Sequence, residues 1–147
     1  RAQKMALADL EATPSALDGV PVALPALTRA AKLQKRAAGQ GFDWPRGDPG
    51  IRAKIDEELA ELDQASSQGP ARQAEEFGDL LFACVNLGRH LGVDPETALR
   101  RANDKFAHRF RLMEAEVAAT GGVMKAMRLE QLEALWQAAK KQSQFKF

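Results

Sequence analysis

Two acidic strings, Glu57-Glu58-Leu59-Ala60-Glu61 and Glu76-Phe77-Gly78-Asp79, are the residues of this chain whose types and spacing can do chemistry. Counted at about 100° per residue from Ile51, the positions Ile51, Leu62, Ile55 and Leu59 fall near 0°, 20°, 40° and 80°, and Glu58 falls near −20°, inside that apolar stripe. Glu58 must therefore point at a core. Glu61, one turn on at about −80°, borders the stripe and can converge with Glu58 on one point. Counted from Arg72, Glu76 and Asp79 lie near 40° and −20°, beside an arc from about 60° to 180° that holds Leu87, Leu80, Cys84, Phe77 and Leu81. Four inward carboxylates cannot all stay ionised in a dry interior, because each loses several kcal/mol of hydration and repels the others. A hard divalent cation with oxygen ligands, Mg2+ or Mn2+, resolves that conflict.

A Glu-Glu-x-x-Glu string alone is ordinarily a solvated helix face. The same three-residue spacing on the very next helix changes that reading, since consecutive helices are usually neighbours. Other candidates carry strong structural alternatives. Lys105 and Arg109 project together from one helix flank, which could simply be solvated. Trp136 could be plain core, and Phe42 and Trp44 could cap a core as readily as stack on a base. Asn86 and His90 could read a ribose or base edge, or join two helices by hydrogen bonds.

The elements that must position these groups are helices. Residues 1–24 hold a short amphipathic stretch, Ala2 to Leu10, and then a proline-punctuated segment, read as a linker or arm; residues 25–147 are expected to form one helical domain. Pro25 suits the first turn of a helix to about Ala38, which Gly39 and Gly41 end. Asp48-Pro49 is an N-cap and first-turn signal for a helix to about Ser66. The next helix runs from about Ala71 to Leu91, with a polar seam of Glu76, Asp79, Asn86 and His90 around small Ala83. Asp94-Pro95 opens a long helix to about Ala119, with an apolar stripe of Leu99, Ala102, Phe106, Phe110, Met113 and Val117. A final helix, about Leu129 to Gln142, carries Leu132, Leu135, Trp136 and Lys140. Tyrosine is absent and β-branched residues are scattered, so the class is all-α, a four-helix-bundle-like fold with an additional short C-terminal helix.

At 147 residues one core is expected. The formal net charge of +1 conceals an asymmetry: Asp56 to Asp79 holds eight acids against Arg72, whereas Arg100 to Arg111 holds five Lys and Arg against Asp104. A metal pole and an anion pole are both available, and an acidic patch beside the basic one argues against a nucleic-acid polymer as partner. Cys84, the one cysteine, excludes an internal disulfide, points to a reducing compartment, and is read as a small core residue. The longest apolar run, Leu80 to Val85, is too short to span a bilayer, so a cytoplasmic protein is expected. The chain begins at Arg1 rather than at methionine, which suggests a piece of a longer protein.

Glu57-Glu58-x-x-Glu61, fourteen intervening residues, and Glu76-x-x-Asp79 together resemble the signature of MazG-type nucleoside triphosphate pyrophosphohydrolases, in the all-α NTP pyrophosphatase superfamily. Leu24-Pro25-Ala26-Leu27, Lys35-Arg36, Gly41-Phe42-Asp43-Trp44, Gly78 to Ala83, Val85-Asn86-Leu87, Ala102-Asn103-x-Lys105-Phe106 with Arg109-Phe110, and Trp136 with Lys140 extend the likeness over most of Leu24 to Gln142. The stretch resembles the catalytic half of the two-domain members. The resemblance implies Mg2+ ligands at Glu58, Glu61, Glu76 and Asp79, phosphate contacts at Lys105 and Arg109, and nucleotide contacts at Trp136 and Lys140. Where MazG domains can carry a lysine before the second acid pair, this chain has Arg72, which keeps the charge and changes its geometry. A homodimer is implied, as is Mg2+-dependent hydrolysis of a nucleoside triphosphate to monophosphate and pyrophosphate, with Glu57 or Glu61 as base or orienter. The alternatives are a selective relative acting on dUTP, dCTP or phosphoribosyl-ATP, and a metal-stabilised helical interaction module without activity.

Overall fold

The computed structural model describes residues 6–44 and 50–143. Six α-helices occur among them and no strand: α1 Leu7–Ala12, α2 Ala26–Gly39, α3 Gly50–Ala65, α4 Pro70–His90, α5 Pro95–Ala119 and α6 Leu129–Gln142, with a 3-10 turn at Met124–Ala126. The all-α expectation therefore holds. Asp48 and Pro49, expected to open α3, lie outside the described residues. None of the described helices is long and apolar enough to cross a membrane. The chain divides into two compact units, Arg1–Glu96 and Thr97–Phe147.

In the first unit, α4 packs along α3 and also against α2. The link 66–69 folds the chain back between α3 and α4, and Gly69 at φ 99° supplies the left-handed residue just before Pro70 takes the first helical position. The end of α2 sets the site loop. Phe42 N–H donates to the Ala37 carbonyl at 3.1 Å and Gly41 N–H to Ala38 at 2.9 Å, a Schellman closure that needs Gly41 at φ 91° and throws Phe42, Asp43 and Trp44 toward α4. Ahead of α2, Arg36 Nη1 donates to the carbonyls of Ala16 and Asp18, tying the preceding turn to that helix.

The inward face of α4 differs from the expected one. Buried on α4 are Glu76, Ala83, Val85 and Asn86, while Phe77 is 51% exposed and Leu81 and Cys84 are exposed too. Cys84 is thus not a core residue. The cause is the identity of the neighbours: α2 and α3 meet α4 along its polar, small-residue seam, a line that a carbonyl-seeking Gln34 and the small Ala83 can fit closely. On α3 the buried line is Ile51, Glu58 and Ala65, seven residues apart in turn, and Leu59 faces outward.

The second unit contains most of α5, the 3-10 turn and α6. Met113, Val117 and Ala139 are its buried apolar residues, and Leu99 and Phe106, expected in the same stripe, are exposed. Phe106 stacks with Phe110 at 6.0 Å and leans on Trp136 at 5.7 Å.

Candidate metal centre between α3 and α4

Glu58 comes from the middle of α3 and Glu76 from the second turn of α4, and both are buried, at 5% and 2% exposure. With Glu61, nearer solvent, they bring one carboxylate oxygen each to within 4.8 Å of one another. The two buried acids have matching surroundings. Lys54 Nζ lies 3.0 Å from Glu58 Oε1, and Arg72 Nη2 lies 2.7 Å from Glu76 Oε1, each cation four residues ahead of its acid. In both acids the second oxygen, Oε2, is buried and has no hydrogen-bond partner. An unpartnered carboxylate oxygen out of water costs about 1–3 kcal/mol or more, so two such oxygens on acids of one cluster mark an unfilled requirement for positive charge.

The remaining acids stand in different relations to this cluster. Glu61 has its pKa raised, first by a hydrogen bond to Glu76, then by loss of hydration and the charges of Glu58, Glu76 and Glu57. Without a cation the cluster thus favours the protonated form of Glu61. Asp79 is exposed and does not join the three-acid group; it lines a neighbouring cavity of about 300 Å³ together with Glu58, Lys54, Trp44, Phe82 and Asn86. Glu57 points away, 56% exposed in its side chain, with Oε1 3.6 Å from Lys54 Nζ. Arg72 is held by Glu75 at 2.9 Å as well as by Glu76, and these charges raise its pKa.

A polar clamp seats the loop after α2. Asn86 is buried and its Oδ1 accepts from Arg89 Nη2 at 2.8 Å and Nε at 3.3 Å. Arg89 Nη2 also pairs with Asp43 Oδ1, which lies 2.8 Å from His90 Nε2. Asp43 is held down to a pKa of about 2, chiefly by the Arg89 hydrogen bond, against a smaller opposing effect of burial. Its neighbour Trp44 meets Phe42 edge to face at 6.3 Å and walls the cavity beside Glu58.

Lys54, Asp43 and Arg89 are functional candidates that the sequence analysis did not nominate. Lys54 had a readable signal, a cation one turn before a core-facing acid; Asp43 and Arg89 are 46 residues apart and had none. In the second unit Arg109 sits over the Trp136 ring at 5.6 Å and donates to Ser143 Oγ at 3.2 Å, while Lys105 is partly exposed and Lys140 exposed.

A cluster of three carboxylates, two of which keep an unpartnered oxygen, suits a hard divalent cation and offers nothing to a soft one. The family model for phosphoribosyl-ATP pyrophosphohydrolase matches residues 28–106. The "Nucleoside triphosphate pyrophosphohydrolase" of Escherichia coli (strain K12) is 50% identical over 131 residues, which cover 87% of this chain and 49% of that protein. The "Nucleoside triphosphate pyrophosphohydrolase/pyrophosphatase MazG" of Thermotoga maritima is 48% identical over 118 residues, covering 80% of this chain and 45% of the relative. A Bacillus subtilis relative, the "Uncharacterized protein YabN", is 44% identical over 127 residues and is covered over 26% of its length. The chain spans about half the length of the first two relatives.

Proposed function

Because this chain belongs to the phosphoribosyl-ATP pyrophosphohydrolase family and is of its MazG type, we propose that it hydrolyses nucleoside triphosphates to nucleoside monophosphate and pyrophosphate with Mg2+ at the acidic cluster. The observation that carries this reading is the pair of buried, unpartnered Oε2 atoms of Glu58 and Glu76 in one group with Glu61. Glu58, Glu61 and Glu76 would hold the ion, with Asp79 completing the set from the adjoining cavity. When bound, Mg2+ supplies positive charge against the triphosphate oxygens and lowers the pKa of water; Mn2+ can substitute.

The chain's own residues do the rest. Lys54 and Arg72 each grip one oxygen of a ligand carboxylate and so aim the other. Glu61 is occupied as a ligand, which leaves Glu57, once its exposed side chain turns from Lys54 toward the cluster, to take the proton of the attacking water as its oxygen joins the α-phosphorus and the bond to the β-phosphate oxygen breaks. Trp44 and Asn86 flank the cavity beside Glu58 and are proposed as nucleoside contacts, and Arg72 as a contact of the loaded site. On residue type and family resemblance, Lys105 and Arg109 are assigned to phosphate oxygens and Trp136 and Lys140 to the nucleotide.

The names of the relatives favour a range of nucleoside triphosphates, and the family model's description keeps phosphoribosyl-ATP in view as a selective alternative. A homodimer is part of the proposal: the outward Leu59, Phe77 and Leu81 of the first unit form the kind of surface that a second copy would cover. So is a cytoplasmic location. The deciding experiment is pyrophosphate release from canonical and damaged triphosphates and from phosphoribosyl-ATP, with and without Mg2+. Mg2+-dependent release from several triphosphates is expected. A Mg2+-induced rise in melting temperature with no pyrophosphate from any substrate would leave a structural metal site instead.

A further inference from the structure

A recess of about 630 Å³ lies between α2 and the turn that precedes it, walled by Ala16, Gly19 and Val20 on one side and by Lys32, Lys35 and Arg36 of α2 on the other. It shares no wall residue with the acid-lined cavity, and every charged residue in its wall is a cation. The three stand three and four residues apart on one helix, a spacing at which like charges repel. Nothing near them answers that charge. Among the described residues no carboxylate pairs with Lys32, Lys35 or Arg36. Asp18, the acid of the turn, accepts the Ser15 N–H on Oδ2 at 2.9 Å and does not line the recess. A helix end favours basic side chains, but the Ala37 and Ala38 carbonyls that close α2 are already taken by the N–H groups of Phe42 and Gly41.

We propose that this recess is a second anion site, separate from the acidic cluster, that binds a pyrophosphate group, either as the free anion or as the end of a nucleoside diphosphate. Arg36 is already set for the task. Its Nη1 donates to the carbonyls of Ala16 at 3.3 Å and Asp18 at 3.2 Å, which holds the guanidinium across the recess and leaves Nε and Nη2 without a partner among the described residues. Gly19, at φ 84°, turns the opposite wall without a side chain; a Cβ there would stand 3.9 Å from Arg36 Nη2. A guanidinium with a free edge takes two oxygens of one phosphate, and Lys32 and Lys35, both exposed, can bring point charges to a second. A single carboxylate or monoanion would leave two of the three cations unanswered, whereas two linked phosphates bring several negative charges and a row of acceptor oxygens. The inference stands on the recess alone and does not need the proposed activity.

The test is calorimetric titration of the protein with inorganic pyrophosphate, ADP, inorganic phosphate and sulfate at one ionic strength, in EDTA so that the acidic cluster repels the anion. Pyrophosphate or ADP should bind about tenfold more tightly than phosphate or sulfate. The double variant Lys32→Gln/Lys35→Gln should weaken that binding by about tenfold or more, with its melting temperature unchanged because both side chains are exposed. Lys105→Ala, in the second unit, should bind as wild type does. Tighter binding of ADP than of pyrophosphate would assign the site to nucleotides, and the reverse order to the free anion. Equal affinity for sulfate and both diphosphates would show a diffuse ion atmosphere and overturn the inference. So would diphosphate binding that the double variant keeps, or that Lys105→Ala alone removes.

Discussion

Glu58 and Glu76 face one another from α3 and α4 in the same unfinished state: each gives Oε1 to a cation one turn earlier, and each keeps Oε2 buried and unpaired. Both helices thus spend one basic residue on holding an acid in the interior and half-neutralising it. The arrangement is poised for a further positive charge and is strained electrostatically without one.

Removing one of the charges should relieve the metal-free protein. Glu76→Gln should be about 1 kcal/mol more stable than wild type without divalent ions, since the amide nitrogen can donate to Glu61 without the proton that two carboxylates need for that hydrogen bond. That corresponds to a rise of about 2–4 °C in melting temperature. Mg2+ should raise the wild-type Tm and leave the variant's nearly where it was. Thermal melts with and without Mg2+ check this, and an equal Mg2+ shift in both proteins would remove Glu76 from the site.

The grip of Lys54 on Glu58 should matter most when no ion is bound. Lys54→Ala leaves a carboxylate at 5% exposure without its cation, a loss of about 1–3 kcal/mol in denaturant melts of the metal-free protein. Saturating Mg2+ should narrow that deficit. A deficit that is the same with and without Mg2+ would mean that Lys54 acts through packing of its stem rather than through charge.

Glu57 and Glu61 should separate in their phenotypes. Glu57→Gln should lower kcat by about 10²–10⁴-fold while the Mg2+-induced rise in Tm persists, as for a lost general base. Glu61→Gln should lose turnover and the Mg2+ shift together. Full turnover in Glu61→Gln would contradict the metal assignment; full turnover in Glu57→Gln would pass the base role elsewhere.

The clamp on the site loop gives a pH signature. Asp43 is lowered from 3.8 to about 2 in the fold, held by Arg89 and His90, so its contribution is complete above the unfolded value and fades as pH falls through the folded one. Asp43→Asn should therefore be less stable than wild type at pH 5 and above, and the gap should close between about pH 4 and pH 2. A gap that stays constant across that range would show that the carboxylate charge is not what seats the loop.

Much of this molecule was legible in one dimension. Helical spacing placed Glu58 inside an apolar stripe, and it is buried; proline marked the start of α5 and glycine the end of α2; α6 runs from Leu129 to Gln142 as its pattern indicated. Periodicity reports angles around a single helix axis, and those angles survive folding because backbone hydrogen bonds set them locally. What it does not report is which side of a helix meets a neighbour. On α4 only tertiary packing decided that the seam of Glu76, Ala83 and Asn86 turns inward while Phe77, Leu81 and Cys84 face out, because α2 and α3 approach closest where side chains are small or can hydrogen-bond across. The Asp43, Arg89 and His90 clamp likewise came from tertiary structure alone: its members sit far apart in the chain, and no local pattern encodes a contact between a loop and a distant helix end.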